Sequence, residues 1–364
     1  MATVIDLTSL TINPEEARTV SEIIAPLIYS DEAEFQKKHR LVSGIVGKTQ
    51  IVLDGGNANS GWVDTGCTPP ASGGMDITLT QLYWDLVTIG DEVTHCQKEV
   101  DQNFKMLVKK FASDHSDISS SNAVLNYIIA RLLTFITEAR ERNAYLGDTD
   151  ATQDTASGYI KTGVDTKFYT AVDGYWKQLF AYVAAGTTPR YTISANATAT
   201  KALQLTLAST AGYDALKGMW DNADDKLKSA PTSYFELTPA LYWNYSSYLA
   251  TTPATIGGFT NVIVDGVQKM AYMGKPVYES QFIGGKILSD FQIITGTSPA
   301  VYTYNLPNRG IFTTPENTPV ATLSDEDVKN IESFYYQKDR TNIMRYAFDV
   351  DVKVLRPALA SVAY

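Results

Sequence analysis

One of the two cysteines stands beside one of the three histidines, at His95-Cys96, and such a pair could supply a thiolate nucleophile and its base. That chemistry requires the two side chains to face each other, whereas neighbours in a helix point apart. Apolar residues from Val93 to Phe111 recur at helical spacing, with Cys96 on the apolar stripe and His95 opposite. We therefore predict a helix here and a buried, unreactive Cys96. Cys67, in a loop rich in glycine and proline, has no cationic sequence neighbour to activate its thiol.

Carboxylates also occur in groups that could act as general acid and base. Each group has a simpler explanation, because acidic residues stabilise the first turn of a helix and are common on solvated helix faces. Asp349 and Asp351 alternate along an extended segment and could share one cation, although solvent exposure is the commoner fate of such side chains. We therefore predict no catalytic residue and no metal ligand. The groups are Glu15-Glu16, Asp224-Asp225 and Asp325-Glu326-Asp327.

No established motif for catalysis or nucleotide binding is present in the sequence. The segment SGIVGKT, from Ser43 to Thr49, ends like a phosphate-binding loop, but its two glycines are spaced too closely for the usual cradle. No CxxC or HxxxH spacing indicates a zinc site, and two cysteines make no disulfide framework. We expect no cofactor.

Charge is sparse and acidic in balance, since 19% of the 364 residues are charged and the formal net charge is −10. No basic cluster could wrap a nucleic acid by releasing counterions. The N-terminal sequence lacks the pattern of a signal peptide, and the uncharged segment 237–264 is interrupted by proline and glycine. We therefore expect synthesis in the cytoplasm and no membrane span. The 22 tyrosines favour protein–protein association.

Hydrophobic periodicity predicts the order of the elements. An amphipathic helix follows Asn13, and a strand beginning at Leu41 leads into a long loop or ribbon and a returning strand. A long helix is predicted from Ser121 to Leu146, with Gly147 as its left-handed cap. The remaining elements show no regular βαβ rhythm, which indicates an α+β fold. They are helices near 171–186, 211–228 and 238–249, and strands through 267–280, 308–315 and 342–354.

Two elements carry expectations about which side is buried. On the long helix, Ile136 and Ala139 belong to the apolar face, whereas Thr137 and Glu141 belong to the polar face. In the final strand, NIMRYAFDVDVKVLRP, every second residue from Met344 onwards faces the core. The residues between them are expected to face water or a partner: Arg345, Asp349, Asp351 and Lys353.

This order of elements resembles the Hong Kong 97 fold of the major capsid proteins of tailed bacteriophages. SNAVLNYIIARLLTFITEARERNAYLGDT is similar to the spine helix of that fold with its exit, and AYMGKPVYES is similar to a turn of its central domain. RGIFTTPENTPVAT followed by IMRYAFDVDVKVLRPALA is similar to its closing segment. In character the sequence most resembles capsid proteins of phages from gut bacteria, including crAss-like phages.

The resemblance implies four regions. An N-terminal arm would span 1–43 and an extended loop 44–85. A peripheral domain with the spine helix would comprise 86–170 and 335–364, and an axial domain would span 171–334. Some members of the fold join a lysine to an asparagine covalently, for which Lys48 with Asn57 or Asn59 would be candidates.

The resemblance also implies a virion protein without catalytic residues. It would self-assemble, in the host cytoplasm, into hexamers and pentamers of an icosahedral head that encloses double-stranded DNA without binding it specifically. Expected partners are further copies of the chain, a portal protein, decoration or head-fibre proteins and a separate scaffolding protein, because only about forty residues precede the ribbon. Alternative functions are an encapsulin-like compartment shell, a tail or neck structural protein, and a secreted carbohydrate-active enzyme using the aromatic segment SYFELTPALYWNYSSYL.

Overall fold

The computed structural model of the protein describes residues 32–45, 48–57, 76–96, 121–153, 158–198, 200–251, 261–264, 267–291, 303–323, 331–336 and 341–364. The α-helices are α1 (Glu32–Lys38), α2 (Ser121–Leu146), α3 (Tyr175–Ala184), α4 (Lys201–Gln204), α5 (Ala211–Asn222), α6 (Asp225–Ser229), α7 (Pro239–Thr251) and α8 (Gln281–Asp290). The strands are β1 (Leu41–Val42), β2 (Thr49–Asn57), β3 (Asp76–Trp84), β4 (Val87–Cys96), β5 (Arg190–Tyr191), β6 (Tyr234–Leu237), β7 (Asn261–Val264), β8 (Val267–Tyr272), β9 (Lys275–Glu279), β10 (Gly310–Thr313), β11 (Val320–Ala321), β12 (Ile331–Tyr336), β13 (Thr341–Val352) and β14 (Ser361–Ala363).

The strands form two large sheets and one separate hairpin. In the five-stranded sheet, β13 pairs antiparallel with β4, β12 and β11, and β1 joins by parallel pairing with β11. The seven-stranded sheet has the order β5-β14-β10-β6-β9-β8-β7. Strands β2 and β3 pair antiparallel with each other and, among the described strands, with no others. Helices and largely antiparallel sheets are thus combined in an α+β architecture.

Two hydrophobic cores hold these layers together. The first lies among α2, α3, α8 and β13, and the second lies between the seven-stranded sheet and helices α5 and α7. Strand β14 joins them, because Val362 belongs to the first core and its neighbour Ala363 to the second. Alternate residues of a strand lie on opposite faces, so one short strand contributes to both cores.

The long helix α2 has the predicted bounds, but the predicted left-handed cap at its end is wrong. Positive φ angles occur at other glycines and not at Gly147. This position needs glycine because the chain runs close to it: a Cβ would lie 2.3 Å from the carbonyl oxygen of Val172 and 2.5 Å from that of Asn143. Close backbone approach, and not turn geometry, therefore explains Gly147.

The last turns of α2 are buried on both sides. Ile136 and Ala139 are buried as predicted, but Thr137 and Glu141 on the polar face are buried as well. Helix α1 covers part of this helix surface, with Phe35 fully enclosed and the Arg140 guanidinium 4.9 Å from the centre of its ring. Helix α1 thus replaces water on part of the polar side of α2.

The segment that contains His95-Cys96 is a strand as far as Cys96, so the predicted helix is wrong there. Strand β4 pairs with β13 over ten residues, with His95 opposite Asn342 and Cys96 opposite Thr341. The helical spacing of local apolar residues is thus outweighed by a long ladder with a distant strand. Residues 97–120 lie outside the described ranges.

The remaining predictions on the described residues concern the later strands. The turn in AYMGKPVYES is confirmed, since Met273 and Gly274 between β8 and β9 both have positive φ. In β13, Phe348 and Val350 are buried as predicted, whereas Asp351 is only 4% exposed and not solvated. The hairpin accounts for this burial, as described below. Among the described residues, no helix has the length and hydropathy needed to cross a bilayer.

Candidate functional site

The hairpin formed by β2 and β3 carries apolar side chains on a face that no described element covers. In its register Gln50 lies opposite Tyr83, Val52 opposite Gln81 and Asp54 opposite Leu79, which places these pairs on one face. The exposed fractions are 55% for Val52, 61% for Leu79 and 43% for Tyr83. We call the exposed residues of this face the outer face: Gln50, Val52, Leu79, Gln81 and Tyr83.

Among the residues whose side chains the structure describes, the opposite face of the hairpin is packed near its base. Trp84, Ile45 and Ala321 are buried together, and Ile51 and Leu86 pack partly buried against them. We call this group the root cluster. Towards the tip Leu53 is half-buried and Thr80 is exposed. The hairpin is therefore anchored at one end.

Such an arrangement is suited to binding another protein. An isolated two-stranded hairpin is at best marginally stable in water, and exposed apolar side chains on one face indicate an interaction surface. The base carries one positive charge on this side, since the Lys48 ammonium lies 5.5 Å from the centre of the Tyr83 ring. The outer face therefore offers apolar area, two amides and a cation, which suits recognition and not catalysis.

The root of the hairpin is also held by polar contacts. Gly44, with φ of +80°, turns the outgoing chain and donates its N–H to the carbonyl oxygen of Leu323 at 3.0 Å. On the returning chain, Asp85 donates its N–H to Asp351 Oδ2 at 2.8 Å. Lys353 Nζ lies 3.2 Å from the same carboxylate oxygen. Burial raises the pKa of Asp351, and the Asp85 N–H and Lys353 oppose that rise.

A second polar site joins α1 to the body of the molecule; we call it the arm junction. Lys38 Nζ and Glu236 Oε1 lie 2.8 Å apart, and both side chains are about 95% buried or more. Tyr145 donates its hydroxyl to Glu236 Oε2 at 2.7 Å, and the same hydroxyl oxygen lies 2.7 Å from His39 Nε2. The other ring nitrogen, Nδ1, lies 3.0 Å from the carbonyl oxygen of Thr318 and 3.2 Å from its hydroxyl. One buried ion pair thus joins α1, α2 and β6.

Burial controls the electrostatics of the arm junction. Desolvation lowers the pKa of His39 to about 4, with Lys38 lowering it further and Glu236 opposing, so the ring is neutral at physiological pH. Desolvation likewise raises the pKa of Glu141 to about 7, although Lys38 opposes it. Burial is the largest influence on the pKa of Glu236 and would raise it, but Lys38, His39 and the Tyr145 hydroxyl together oppose it and the net shift is downward. The Lys38–Glu236 ion pair is therefore retained at neutral pH.

Candidate metal ligands are paired with protein groups in the described part of the chain. Asp349 accepts a hydrogen bond from the Thr88 hydroxyl, and Asp351 is engaged as above. The ammonium of Lys177 lies 2.6 to 2.9 Å from three carboxylates. These three acids therefore share a lysine and not a metal ion. No group of acids, histidines and cysteines within those ranges could hold a metal. The three carboxylates are those of Asp148, Asp150 and Asp173.

The remaining sequence candidates have ordinary structural roles or lie outside the described residues. Asp224 caps α6 by accepting from the Lys226 N–H, and Asp225 forms an exposed ion pair with Lys228. Gly44, in the former phosphate-loop candidate, lies in the turn between β1 and β2. Lys48 precedes β2, and Asn57 ends it. The candidates outside the described ranges are Glu15-Glu16, Asn59, Cys67, Asp325-Glu326-Asp327 and the helix after Asn13.

No protein-family model matches the sequence, and no curated protein is similar to it. Solved structures do match. A chain from the capsid of the empty GTA particle aligns over 97% of this chain and 99% of its own length, with a TM-score of 0.51 and 12% identity. A chain of Mycobacterium phage Ogopogo aligns over the same shares, with a TM-score of 0.50 and 10% identity. The chain has the Hong Kong 97 capsid fold. The α+β capsid fold expected from the sequence is therefore confirmed.

An encapsulin complex is also among the similar structures. The holo-SrpI encapsulin complex from Synechococcus elongatus PCC 7942 aligns over 97% of this chain and 95% of its own, with a TM-score of 0.47 and 8% identity.

Proposed function

We propose that the protein is the major capsid protein of a tailed bacteriophage. Copies would self-assemble into the hexamers and pentamers of an icosahedral head that encloses double-stranded DNA. The observation that carries this proposal is the hairpin, whose apolar outer face is exposed in a chain with the capsid fold. A fold by itself does not specify a function, whereas an uncovered binding surface on a shell-forming fold does support one.

In this proposal the outer face binds a neighbouring copy. A closed shell requires contacts between two different surfaces of identical subunits, repeated around each symmetry axis. The hairpin supplies one such surface at a distance from both hydrophobic cores. Burying Val52, Leu79 and Tyr83 against a neighbour would contribute about 1.5–3 kcal/mol for each fully covered side chain, before the entropic cost of association.

The proposed regions are the arm 1–43, the extended loop 44–85, the peripheral domain 86–170 with 335–364, and the axial domain 171–334. The pairing of β2 with β3 supports an extended loop within 44–85, and the packing of α2 and β13 in one core supports a peripheral unit. The C-terminal strand β14 pairs with β10 of the seven-stranded sheet. The last residues would thus connect the peripheral domain to the axial one.

The finer features of the proposal follow the resemblance. The chain would have no catalytic activity and would lie in the virion after assembly in the host cytoplasm. A portal protein, a separate scaffolding protein and decoration or head-fibre proteins would be its partners. The net charge of −10 supports enclosure of DNA without tight binding. A relationship to phages of gut bacteria, including crAss-like phages, stays a prediction.

A covalent link between Lys48 and Asn57 or Asn59 would have to join different copies. Strand β2 contains nine residues, from Thr49 to Asn57, and a rise of about 3.3 Å per residue separates its ends by about 26 Å. Boiling assembled particles in detergent tests this prediction. Bands of several subunits are expected if the link forms, and a single monomer-sized band would contradict it.

The decisive test of the proposal is electron microscopy of the expressed chain, alone and with its scaffolding protein. Closed shells are expected for the wild type, and shells purified from infected cells should contain double-stranded DNA. Particles that hold only protein cargo would instead support an encapsulin-like compartment, and rings or tubes would support a tail or neck protein. A compact monomer under all conditions would refute the shell function.

A matched pair of variants tests the role of the outer face. Leu79→Asp places a charge on the exposed apolar face, whereas Thr80→Asp places the same charge at the next, also exposed position on the opposite face. Loss of shells in the first variant and their retention in the second is expected. Normal shells from Leu79→Asp would show that the outer face makes no essential contact.

A further inference from the structure

The carboxylate of Asp351 is buried where the hairpin meets the five-stranded sheet. Its exposed fraction is 4%, and it lies next to the last residue of β13, beside buried Val350 and Val352. Burying an ionised carboxylate costs free energy unless hydrogen bonds and an opposite charge offset the loss of hydration. A buried carboxylate therefore calls for a specific reason.

That reason is found in what the two carboxylate oxygens contact. Oδ1 accepts the N–H of Val352 at 2.8 Å, and Oδ2 accepts the N–H of Asp85 at 2.8 Å, from a residue 266 positions away in sequence. Lys353 adds a positive charge 3.2 Å from Oδ2. Asp85 follows the last residue of β3 and precedes β4 by two positions, so this contact reaches the returning chain of the hairpin.

The two sides of the hairpin root are held by different means. The outgoing chain is joined to β11 and its continuation by main-chain bonds, from Gly44 N–H to Leu323 and from Thr322 N–H to Val42. On the returning chain, the hydrogen bonds of β4 to β13 begin at Val87, opposite Val350. Between Trp84 and Val87, the described polar contact to the sheet is the one made by Asp351.

We propose that Asp351 is a positioning residue that fixes the hairpin on the five-stranded sheet. Its ionised carboxylate offers acceptors on both oxygens, which the two backbone N–H groups require. Asparagine offers one acceptor, and its amide group would point a donor at one of these N–H groups. Hydrogen bonds to a charged acceptor are also stronger than neutral ones. Without the carboxylate, the stretch between Trp84 and Val87 loses its described polar contact to the sheet and keeps the apolar contacts of the root cluster, so the hairpin loses its fixed direction.

Hydrogen exchange read by mass spectrometry tests this proposal on the full-length chain, whatever its role in a shell. The variants are Asp351→Asn, Lys353→Met and, as a matched control, Asp349→Asn, which changes the same residue type two positions away. Asp349 accepts a hydrogen bond from the hydroxyl of Thr88, which lies in β4 and not in the hairpin. All variants are compared in the same assembly state, established by size-exclusion chromatography, with the amides of β6 as an internal reference.

Asp351→Asn is expected to accelerate exchange of the β2 and β3 amides about tenfold while β6 stays protected, because one charge-assisted bond of the root is lost. Lys353→Met should give a smaller acceleration of the same amides, and Asp349→Asn none. Unchanged hairpin exchange in folded Asp351→Asn would overturn the proposal, and so would an equal acceleration in β6. If Asp351→Asn does not fold, Lys353→Met decides: acceleration confined to the hairpin supports the proposal, and any other result refutes it.

Discussion

The arm junction and the hairpin are two attachments of peripheral chain to the same body, and they are built in opposite ways. At the arm junction, Lys38 and Glu236 are buried from water and joined by a network through Tyr145 and His39. The hairpin, in contrast, leaves Leu79 and the rest of its outer face in solvent and is fixed only at its root.

The two attachments are kept in place by different contacts. The arm junction is built within one copy, because the buried Lys38 ammonium and Tyr145 hydroxyl both contact the Glu236 carboxylate of the same chain. The hairpin has an exposed outer face, and we propose that a partner there adds to its order, since isolated two-stranded hairpins are marginally stable. Substitutions should therefore change the free energy of unfolding at the arm junction and change association at the hairpin.

The largest expected effect on the folded chain is at the arm junction. Replacing Glu236 with Ala leaves the buried Lys38 ammonium without its carboxylate, which should lower the free energy of unfolding by about 3–5 kcal/mol. Denaturant titration measures this loss. Asp221→Ala, which breaks the exposed ion pair with Lys217 on α5, is the control and should leave the transition in place. Comparable losses in both variants would contradict the distinction between the two environments.

The next effect is a dependence on pH at the arm junction. The folded pKa of Glu141 is raised to about 7, above the value of 4.5 expected when unfolded, so its ionisation lowers stability as pH rises between these values. The folded pKa of His39 is lowered to about 4, below 6.5, so its contribution is lost as pH falls through nearly the same window. The two groups therefore oppose each other in the wild type.

Glu141→Gln should make the effect of His39 on the pH dependence of stability visible. In this variant stability is expected to rise with pH from about 4 to 6.5, by up to about 3 kcal/mol more than in the wild type, because of the two groups only His39 still titrates in the window. Thermal or denaturant unfolding at a series of pH values measures the slope. Glu138→Gln, one turn away and only half-buried, serves as control. A slope in Glu141→Gln equal to that of the wild type would refute the assignment.

A smaller effect on stability is expected at the hairpin root. Trp84→Ala should lower the free energy of unfolding by about 2 kcal/mol, less than the usual cost for tryptophan in a core, because this small cluster can collapse around the cavity. Denaturant titration gives the loss, and hydrogen exchange of β2 and β3 shows whether the hairpin detaches. Tyr83→Ala, on the outer face, should change neither quantity by much. A loss above about 4 kcal/mol would mean that the root belongs to a main core.

The smallest effect on the isolated chain is expected on the outer face. Val52→Asp should change the free energy of unfolding by no more than about 0.5 kcal/mol, since the side chain is already in water. The yield of particles, measured by sedimentation, should nevertheless fall sharply. Gln81→Glu, directly opposite, adds the same charge without removing apolar area and should affect yield less. Equal particle yields from Val52→Asp and the wild type would show that the outer face makes no contact needed for assembly.

Much of the fold could be predicted from local sequence. The bounds Ser121–Leu146, the turn at Gly274 and the final strand all follow from signals within a few residues: hydrophobic spacing, a glycine, β-branched alternation. The predictions that failed depend on distant chain. Helical spacing around Cys96 is overridden by pairing with β13, and the expectation that Asp351 faces water is overridden by the returning hairpin.

The sites were less predictable than the fold. The ribbon itself could be read from a strand, a glycine-rich segment and a second strand, but its anchoring could not. Lys38 and Glu236 are 198 positions apart, and nothing in either local sequence indicates a buried partner. Glu141 was assigned to a polar face because helical periodicity distinguishes apolar from polar sides and contains no information about a second layer.

The separation between Lys38 and Glu236 also has a consequence during synthesis. After Lys38, a ribosome must translate about 200 further residues before Glu236 is part of the chain. At 5–20 residues per second, this takes about 10–40 seconds. Until then α1 lacks its partner on β6, and the arm is available to chaperones, proteases or another nascent chain. The arm therefore gains its attachment late in translation, whereas the nearby strands β2 and β3 can meet soon after they leave the exit tunnel.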